Sequence, residues 1–527
     1  MNGDLLVVSG HSRRTVPLPQ GDTLAQALFR AGYFVGRPLC SGIGRCGACR
    51  VRFASGAPTP VPQDARRLGP GELAAGWRLS CAHPAQAAAG REILAPSDVG
   101  PGPVLNAARK AAHGAPGGYV LGLDLGTTGL AWRAATASGG GPAVEGQMPN
   151  PQLGAGSEIM SRLAFAARDG GADILRELVL DFMRRVAASL PGPLADLGVA
   201  GNPAMIHLLV GLDFSGLAAA PYRLSFRGGY ETVLAPDLPP AYVPPLLGPF
   251  VGADASAGLF AIMRAGAKPP FLLADFGTNG EFVLALPDGR FLAASVPMGP
   301  ALEGVGPRLG RVAGSGVAVG FDLTPAGLAP VPYRDGSPAA EVTAIGGTGY
   351  LSLLARLVSV GVLRPDGRFA EAGSSLPPLG RRILAGLAHD GGEPRLDVGR
   401  LSLWASDVEE IQKVKAACNL AFSGLFRAAG LGVGALSAIH LAGAFGSHVS
   451  PDDLEALGFL PSGGAARCRA AGNTSLDGVC LLTADAAARR DILETASRVE
   501  VVDLASAIGS DDFGQAFVKR MVFRYVA

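Results

Sequence analysis

The chain has 527 residues, 48% of them apolar, with Lys+Arg 45 against Asp+Glu 44. That length exceeds one compact core and predicts two to four domains, while the net charge of +1 argues against a nucleic-acid partner gripped by phosphate neutralisation. No apolar run reaches the ~18 residues of a membrane-crossing helix, and Met1-Asn2-Gly3-Asp4 lacks a signal peptide's basic and apolar regions, so a cytoplasmic protein with no membrane contact is expected.

Residues 1–95 read as a small β-rich unit. Leu5–Val8 and Thr15–Leu18 flank Ser9-Gly10-His11-Ser12, a hairpin signature. Asp22-Thr23 offers a cap for a helix through Leu24, Ala27, Leu28 and Ala31. A Gly/Cys loop over 40–49 follows, then short strands at Arg50–Phe53, Trp77–Ser80 and Glu92–Leu94. This is the order of a β-grasp ferredoxin. Residues 96–118 read as a flexible linker with a short helix at Val104–Ala112; fully extended, it would span roughly 70 Å at ~3.3 Å per residue.

From Tyr119 apolar strands ending in Gly turns alternate with helical stretches, as in α/β domains. The sequence divides into a middle domain over 119–200 and a larger C-terminal domain over 201–527. Asp254 reads as a helix N-cap or as the polar group that orients an attacking water, and His207 as a core or interface histidine. The clearest helix runs from Asp407 to Ala428, capped by Ser406, with Ile411, Val414, Cys418, Phe422 and Leu425 on its core face.

Four of the seven cysteines fall in the first 81 residues. Cys40, Cys46 and Cys49 lie within ten residues, interleaved with Gly42, Gly44 and Gly47, and Cys81 follows 32 positions later. A 2Fe–2S cluster needs four thiolates and a backbone that wraps closely enough to donate N–H groups to the sulfurs, which glycine permits. The first gap is five residues rather than the plant-type four, a spacing similar to that of adrenodoxin-like ferredoxins. A structural zinc draws on two short-spaced pairs; Cys81 has no neighbouring cysteine and His83 is a poor substitute. The reading is a 2Fe–2S site with Cys40, Cys46, Cys49 and Cys81 as ligands.

Three glycine-rich turns carry the second chemistry. In Leu121–Gly129 an apolar strand ends at Asp124, and Gly126, Thr127 and Thr128 form the turn. Phe271–Glu281 repeats the design about 150 residues later with Asp275, Gly277, Thr278, Asn279 and Gly280. The two aspartates would organise Mg²⁺ through water, and the Gly, Thr and Asn residues would meet phosphate oxygens. Ala438–Gly446 is a strand entering a small-residue turn in which Gly443 and Gly446 would lie against adenosine. No P-loop of the G-x-x-x-x-G-K-[ST] type is present.

The order of phosphate loop, second phosphate loop and adenosine loop resembles the superfamily of actin, sugar kinases and heat-shock ATPases (ASKHA), which implies two RNase H-like cores with ATP in a cleft. With the ferredoxin unit and linker ahead of it, the whole chain resembles the reductive activators of corrinoid proteins. Further strings carry the likeness: Asn150-Pro151-Gln152, Gly156-Ser157-Glu158 with Arg162, Gly201–His207, Phe250–Asp254, Gly299–Gly304 and Gly472-Asn473. Glu158, the Gly346–Tyr350 turn and the cysteine-free Ser295–Met298 segment depart from the family pattern. The fold implied is α+β and α/β multidomain. The activity implied is an iron–sulfur ATPase that returns Co(II) of a corrinoid protein to Co(I), each ~59 mV of uphill one-electron potential costing ~1.4 kcal/mol. The cofactors implied are a 2Fe–2S cluster, ATP and Mg²⁺; the partners are a corrinoid protein, an electron donor of unspecified kind and a second copy in a homodimer. The alternative is a ferredoxin-type electron carrier whose large domain is a non-hydrolysing scaffold.

Overall fold

The computed structural model describes residues 3–10, 12–95, 117–137, 142–334, 336, 340–371, 373–446, 448–507 and 512–527. The expected linker helix at Val104–Ala112 lies outside them. The chain divides into two compact units, Met1–Pro249 with Val479–Ala486, and Phe250–Gly478 with Ala487–Ala527.

The first unit opens with β1 (Leu5–Ser9), β2 (Ser12–Val16), helix α1 (Leu24–Arg30), β3 (Arg50–Phe53), β4 (Trp77–Leu79) and β5 (Glu92–Leu94). The strands form a sheet of order β2-β1-β5-β3-β4, with β1 antiparallel to β2 and parallel to β5. The short hairpin forms where Gly10 takes φ +58° between Ser9 and Ser12. Thr23 caps α1 in a reciprocal box with Gln26, and Leu24, Ala25, Ala27, Leu28 and Phe29 turn inward. These elements are the β-grasp arrangement expected from the sequence.

A second sheet in the same unit contains β6 (Tyr119–Leu125), β7 (Gly129–Thr136), β8 (Pro142–Pro149), β9 (Leu194–Gly201), β10 (Tyr230–Thr232) and β11 (Ala241–Val243), in the order β10-β11-β9-β6-β7-β8. β9 pairs in parallel with all of β6, so the sheet runs across position 200, where the sequence divides the middle and C-terminal domains. Trp132 on β7 is fully buried and lies over Gly146 on β8; a Cβ there would stand 2.4 Å from the indole. Helices α2 (Ile159–Ala166) and α3 (Gly171–Ser189) bury Leu163, Phe165, Leu175, Val179 and Phe182.

The second unit repeats this core. β12 (Phe271–Phe276), β13 (Asn279–Ala285) and β14 (Phe291–Pro297) form an antiparallel meander like β6–β7–β8. β15 (Ala438–Ala442) lies parallel to β12 as β9 lies parallel to β6, and β16 (Cys468–Gly472) and β17 (Val499–Val501) extend the sheet to β16-β15-β12-β13-β14-β17. The duplicated RNase H-like core is thus present as expected.

Helix α4 spans Ala405–Ala429. Its Ile411, Cys418, Phe422 and Leu425 are fully buried, Val414 nearly so. Ser406 is not its cap: Trp404 takes that place and its N–H is received by Asp407 Oδ2 at 3.2 Å, while Ser406 N–H donates to Glu393 Oε1 at 2.7 Å. The acid three residues into the helix won because it can reach back to the first unpaired amide. On the same helix, buried Lys415 ties the C-terminal segment by donating to Arg520 O at 3.1 Å and to Arg524 O. Among the described residues no helix is long and apolar enough to cross a membrane.

Candidate functional site

The loop between α1 and β3 carries Cys40, Cys46 and Cys49, and a single 3-10 turn, Ser80–Ala82, carries Cys81. Gly42, Gly44 and Gly47 take φ +85°, +75° and +68°, so the loop curls as a side-chain-bearing backbone rarely does. The curl points amides at sulfur: Arg45 N–H reaches Cys40 Sγ at 3.2 Å, Cys46 N–H reaches it at 3.4 Å, and Ala48 N–H reaches Cys46 Sγ at 3.4 Å.

All four thiols line one cavity of about 350 Å³. They stand as two pairs. The Cys46 thiol donates to Cys40 and, with the amides of Cys46, Arg45 and Gly44, pulls Cys40 down to about 5 against the effect of burial; Cys46 is pushed up. The Cys81 thiol likewise lowers Cys49, and Cys81 is raised in return. Among the described residues no three His, Cys, Asp or Glu side chains gather as around a single ion. Two pairs of sulfurs, one pair for each iron, and amides aimed at them fit a 2Fe–2S cluster.

The sequence did not point to the residue that braces this site. Asp64 is fully buried and accepts Leu79 N–H at 2.7 Å, Val61 N–H at 3.0 Å and a bond from His83 Nε2 at 2.8 Å. It fixes β4, and β4 delivers Cys81.

Asp124 lies one residue from the end of β6, opposite Ala131 and Ala200. Three donors hold the turn beyond it. Asn150 Nδ2 donates to Gly126 O at 2.8 Å, the Arg162 guanidinium donates to Thr127 O, and Asn150 N–H donates to Thr128 O at 2.8 Å. A peptide is planar and trans, so each of these carbonyls points opposite to the amide that follows it, at Thr127, Thr128 and Gly129. Asn202 Nδ2 donates to Thr127 Oγ1 at 2.8 Å. Asn150, Arg162 and Asn202, singled out only by family likeness, therefore gather around this one turn.

Asp275 occupies the equivalent place on β12. Gly277 N–H bonds Asn279 O at 3.1 Å, and Thr278 O accepts from Met298 and Gly299 N–H at 3.1 and 2.8 Å. Thr278 Oγ1 donates to Glu303 Oε1 at 3.0 Å. Gly280 lies in β13, where a Cβ would stand 2.3 Å from Met298 Sδ. Gly443, at φ +80°, comes so close that a Cβ would lie 2.5 Å from Asp275 Oδ1. Gly446 closes the same short turn against Leu441. Asp254 is not an N-cap: Gly252 is, and Asp254 sits in the first turn with Oδ1 accepting Ala255 N–H at 2.8 Å. His207 is buried, its Nδ1 at 2.7 Å from Pro203 O, and burial lowers its pKa.

Three family models match consecutive parts of the chain. Residues 7–86 match the 2Fe-2S iron-sulfur cluster binding domain, 119–264 the RACo middle region and 270–526 the C-terminal domain of RACo, the ASKHA domain. The chain belongs to the RACo family. A full-length structural relative, "Reductive activator for corrinoid,iron-sulfur protein", superposes with a TM-score of 0.65 at 18% identity, covering 99% of this chain and 98% of that one. At that identity the likeness speaks for the RACo fold. The "[Co(II) methylated amine-specific corrinoid protein] reductase" of Methanosarcina barkeri is 27% identical over 395 residues, 68% of this chain. "Corrinoid activation enzyme RamQ" of Eubacterium limosum is 26% identical over 395 residues, 67% of this chain. The match spans 66% and 62% of those two proteins, just under two thirds of their length. A RACo-type chain thus joins an iron–sulfur domain to an ASKHA nucleotide-binding fold.

Proposed function

We propose that the protein is an ATP-dependent reductive activator that returns a corrinoid protein from Co(II) to Co(I). The observation that carries this reading is one cavity ringed by four thiols in a chain that also bears the duplicated Asp-Gly-Thr turns of an ATPase. Cys40 and Cys46 would hold one iron, Cys49 and Cys81 the other. When bound, a 2Fe–2S cluster supplies single electrons, and Co(II) that takes one becomes Co(I). Burial and the amides of Arg45, Cys46 and Ala48 set the electrostatic surroundings of the sulfurs.

The amides of Thr127 and Thr128 and the turn at Gly277–Asn279 would bind phosphate oxygens of ATP, with Asp124 and Asp275 orienting Mg²⁺ through water. Gly443 and Gly446 would leave a flat approach for adenosine. Binding energy and hydrolysis then offset the uphill electron step by favouring one conformation over another. The names of the two relatives, a corrinoid protein reductase and a corrinoid activation enzyme, support the corrinoid partner.

The test is to reconstitute the protein with iron and sulfide, reduce it, and add a Co(II) corrinoid protein with Mg-ATP. Loss of the Co(II) EPR signal, appearance of Co(I) absorbance and stimulated ATP hydrolysis are expected. ATP turnover indifferent to every Co(II) corrinoid protein offered would sink the proposal. Calorimetry showing no binding of Mg-ATP, with electron transfer unaffected by nucleotide, would instead support a ferredoxin-type carrier on a scaffold.

A further inference from the structure

The segment from Asn150 to Arg162 touches two sites at once. On one side its Asn150 and Arg162 hold the carbonyls of Gly126, Thr127 and Thr128. On the other, Gly154, Ala155, Gly156 and Ser161 form part of the wall of the thiol-lined cavity. Ser41, next to Cys40, donates to Ser161 Oγ at 3.0 Å. Gly154 lies so near the ferredoxin helix that a Cβ would stand 2.4 Å from Phe29 Cδ2 and 2.5 Å from Phe34 O.

Arg162 spans the gap between the two sides. Its side chain is fully buried, Nε donates to Gly156 O at 2.9 Å, Nη1 to Gln152 Oε1 at 3.4 Å and Nη2 to Thr127 O. A planar guanidinium fixes the directions of its bonds, so a movement of Thr127 is felt at Gly156. Gly156 itself cannot yield freely: its φ is +153° and a Cβ would fall 2.0 Å from Ser161 Oγ. A salt bridge between Arg168 and Asp22 at 2.9 Å and a bond from Arg30 Nη1 to Asp169 O at 2.8 Å hold the ferredoxin domain on this seat.

We infer that Arg162 is a positioning residue which links nucleotide at the Gly126–Thr128 turn to the seat of the cluster, so that bound nucleotide makes the cluster a stronger reductant. The inference rests on the proposed function for both sites. Its sign follows from charge: an electron added beside a bound polyanion is disfavoured. Coupling between two sites is reciprocal, so nucleotide must bind more tightly to oxidised than to reduced protein.

The measurement is the Kd of Mg-ATP, or of a non-hydrolysable analogue, by calorimetry on the full-length cluster-loaded protein in both redox states. At least a threefold preference for the oxidised form is expected; a tenfold preference would equal about 59 mV of cluster potential. Arg162→Lys keeps the charge but not the planar fork, and should at least halve the preference while the cluster's visible spectrum persists; an undiminished preference overturns the role of Arg162. Ser161→Ala, which removes the hydroxyl that receives Ser41 and donates to Glu158 O at 2.9 Å, should at least halve the preference and serves if Arg162→Lys does not fold. Equal Kd values in the wild type, or tighter binding to reduced protein, overturn the inference and leave the proposed function standing. Failure to bind nucleotide in either state overturns the proposed function instead.

Discussion

Gly443 places its Cα against the carboxylate of Asp275, with room for no Cβ: one would sit 2.5 Å from Oδ1. The same glycine holds φ +80°, which costs other residues ~1–2 kcal/mol. Gly443→Ala should therefore displace Asp275 and weaken Mg-ATP binding at least tenfold by calorimetry. The cysteine loop belongs to the other compact unit, so the visible spectrum of the cluster should not change.

Replacing any one of Cys40, Cys46, Cys49 or Cys81 by Ser should abolish or destabilise the 2Fe–2S absorption and lower both iron and labile sulfide. Cys418→Ala, at a buried position of α4, should leave iron content unchanged. Equal iron loading in all five variants would remove the quartet from consideration.

Asp64 accepts three bonds in a buried site, and Asp64→Ala strands their donors. Each unpaired buried donor costs on the order of 1–3 kcal/mol. The expected result is an earlier melting transition and a shorter half-life of cluster absorbance, although residue 64 touches no iron. A variant with wild-type melting and cluster lifetime would show that Asp64 does not brace the site.

Burial pulls Lys415 from 10.5 down to about 7. The unfolded chain therefore holds this proton up to about pH 10.5 while the folded chain gives it up near 7. Between those values the unfolded state binds more protons, so stability rises with pH, by at most about 1.4 kcal/mol per unit. Below pH 7 the full cost of the buried charge is present. Lys415→Met should flatten the rise in unfolding free energy between pH 7 and 10 relative to the wild type. An unchanged slope would mean that Lys415 stays charged, held by the carbonyls of Arg520 and Arg524.

Local signals were readable where one side chain decides one bond or one turn. Thr23 with Gln26, the Ser9–Ser12 hairpin and the glycines among Cys40, Cys46 and Cys49 each dictate their own geometry, and the β-grasp order followed from them. The two Asp-Gly-Thr turns were legible for the same reason, and the duplicated strand order places them alike. What was illegible depends on distant partners. Trp404 capped α4 because Asp407 turned back to it, a choice Ser406 alone could not reveal. Asp64 looks like any surface acid until β4 and His83 close around it. Arg162 was noticed by resemblance only; nothing in its own neighbourhood announces that it bonds a carbonyl 35 residues away.

The wall that Gly154 to Gly156 sets beside the thiols would restrict how the proposed electron acceptor reaches them. Occupied by this wall, part of the redox loop is hidden, while Ile43, 62% exposed, stands out from the same loop. An acceptor needing the whole face must compete with the chain's own seat.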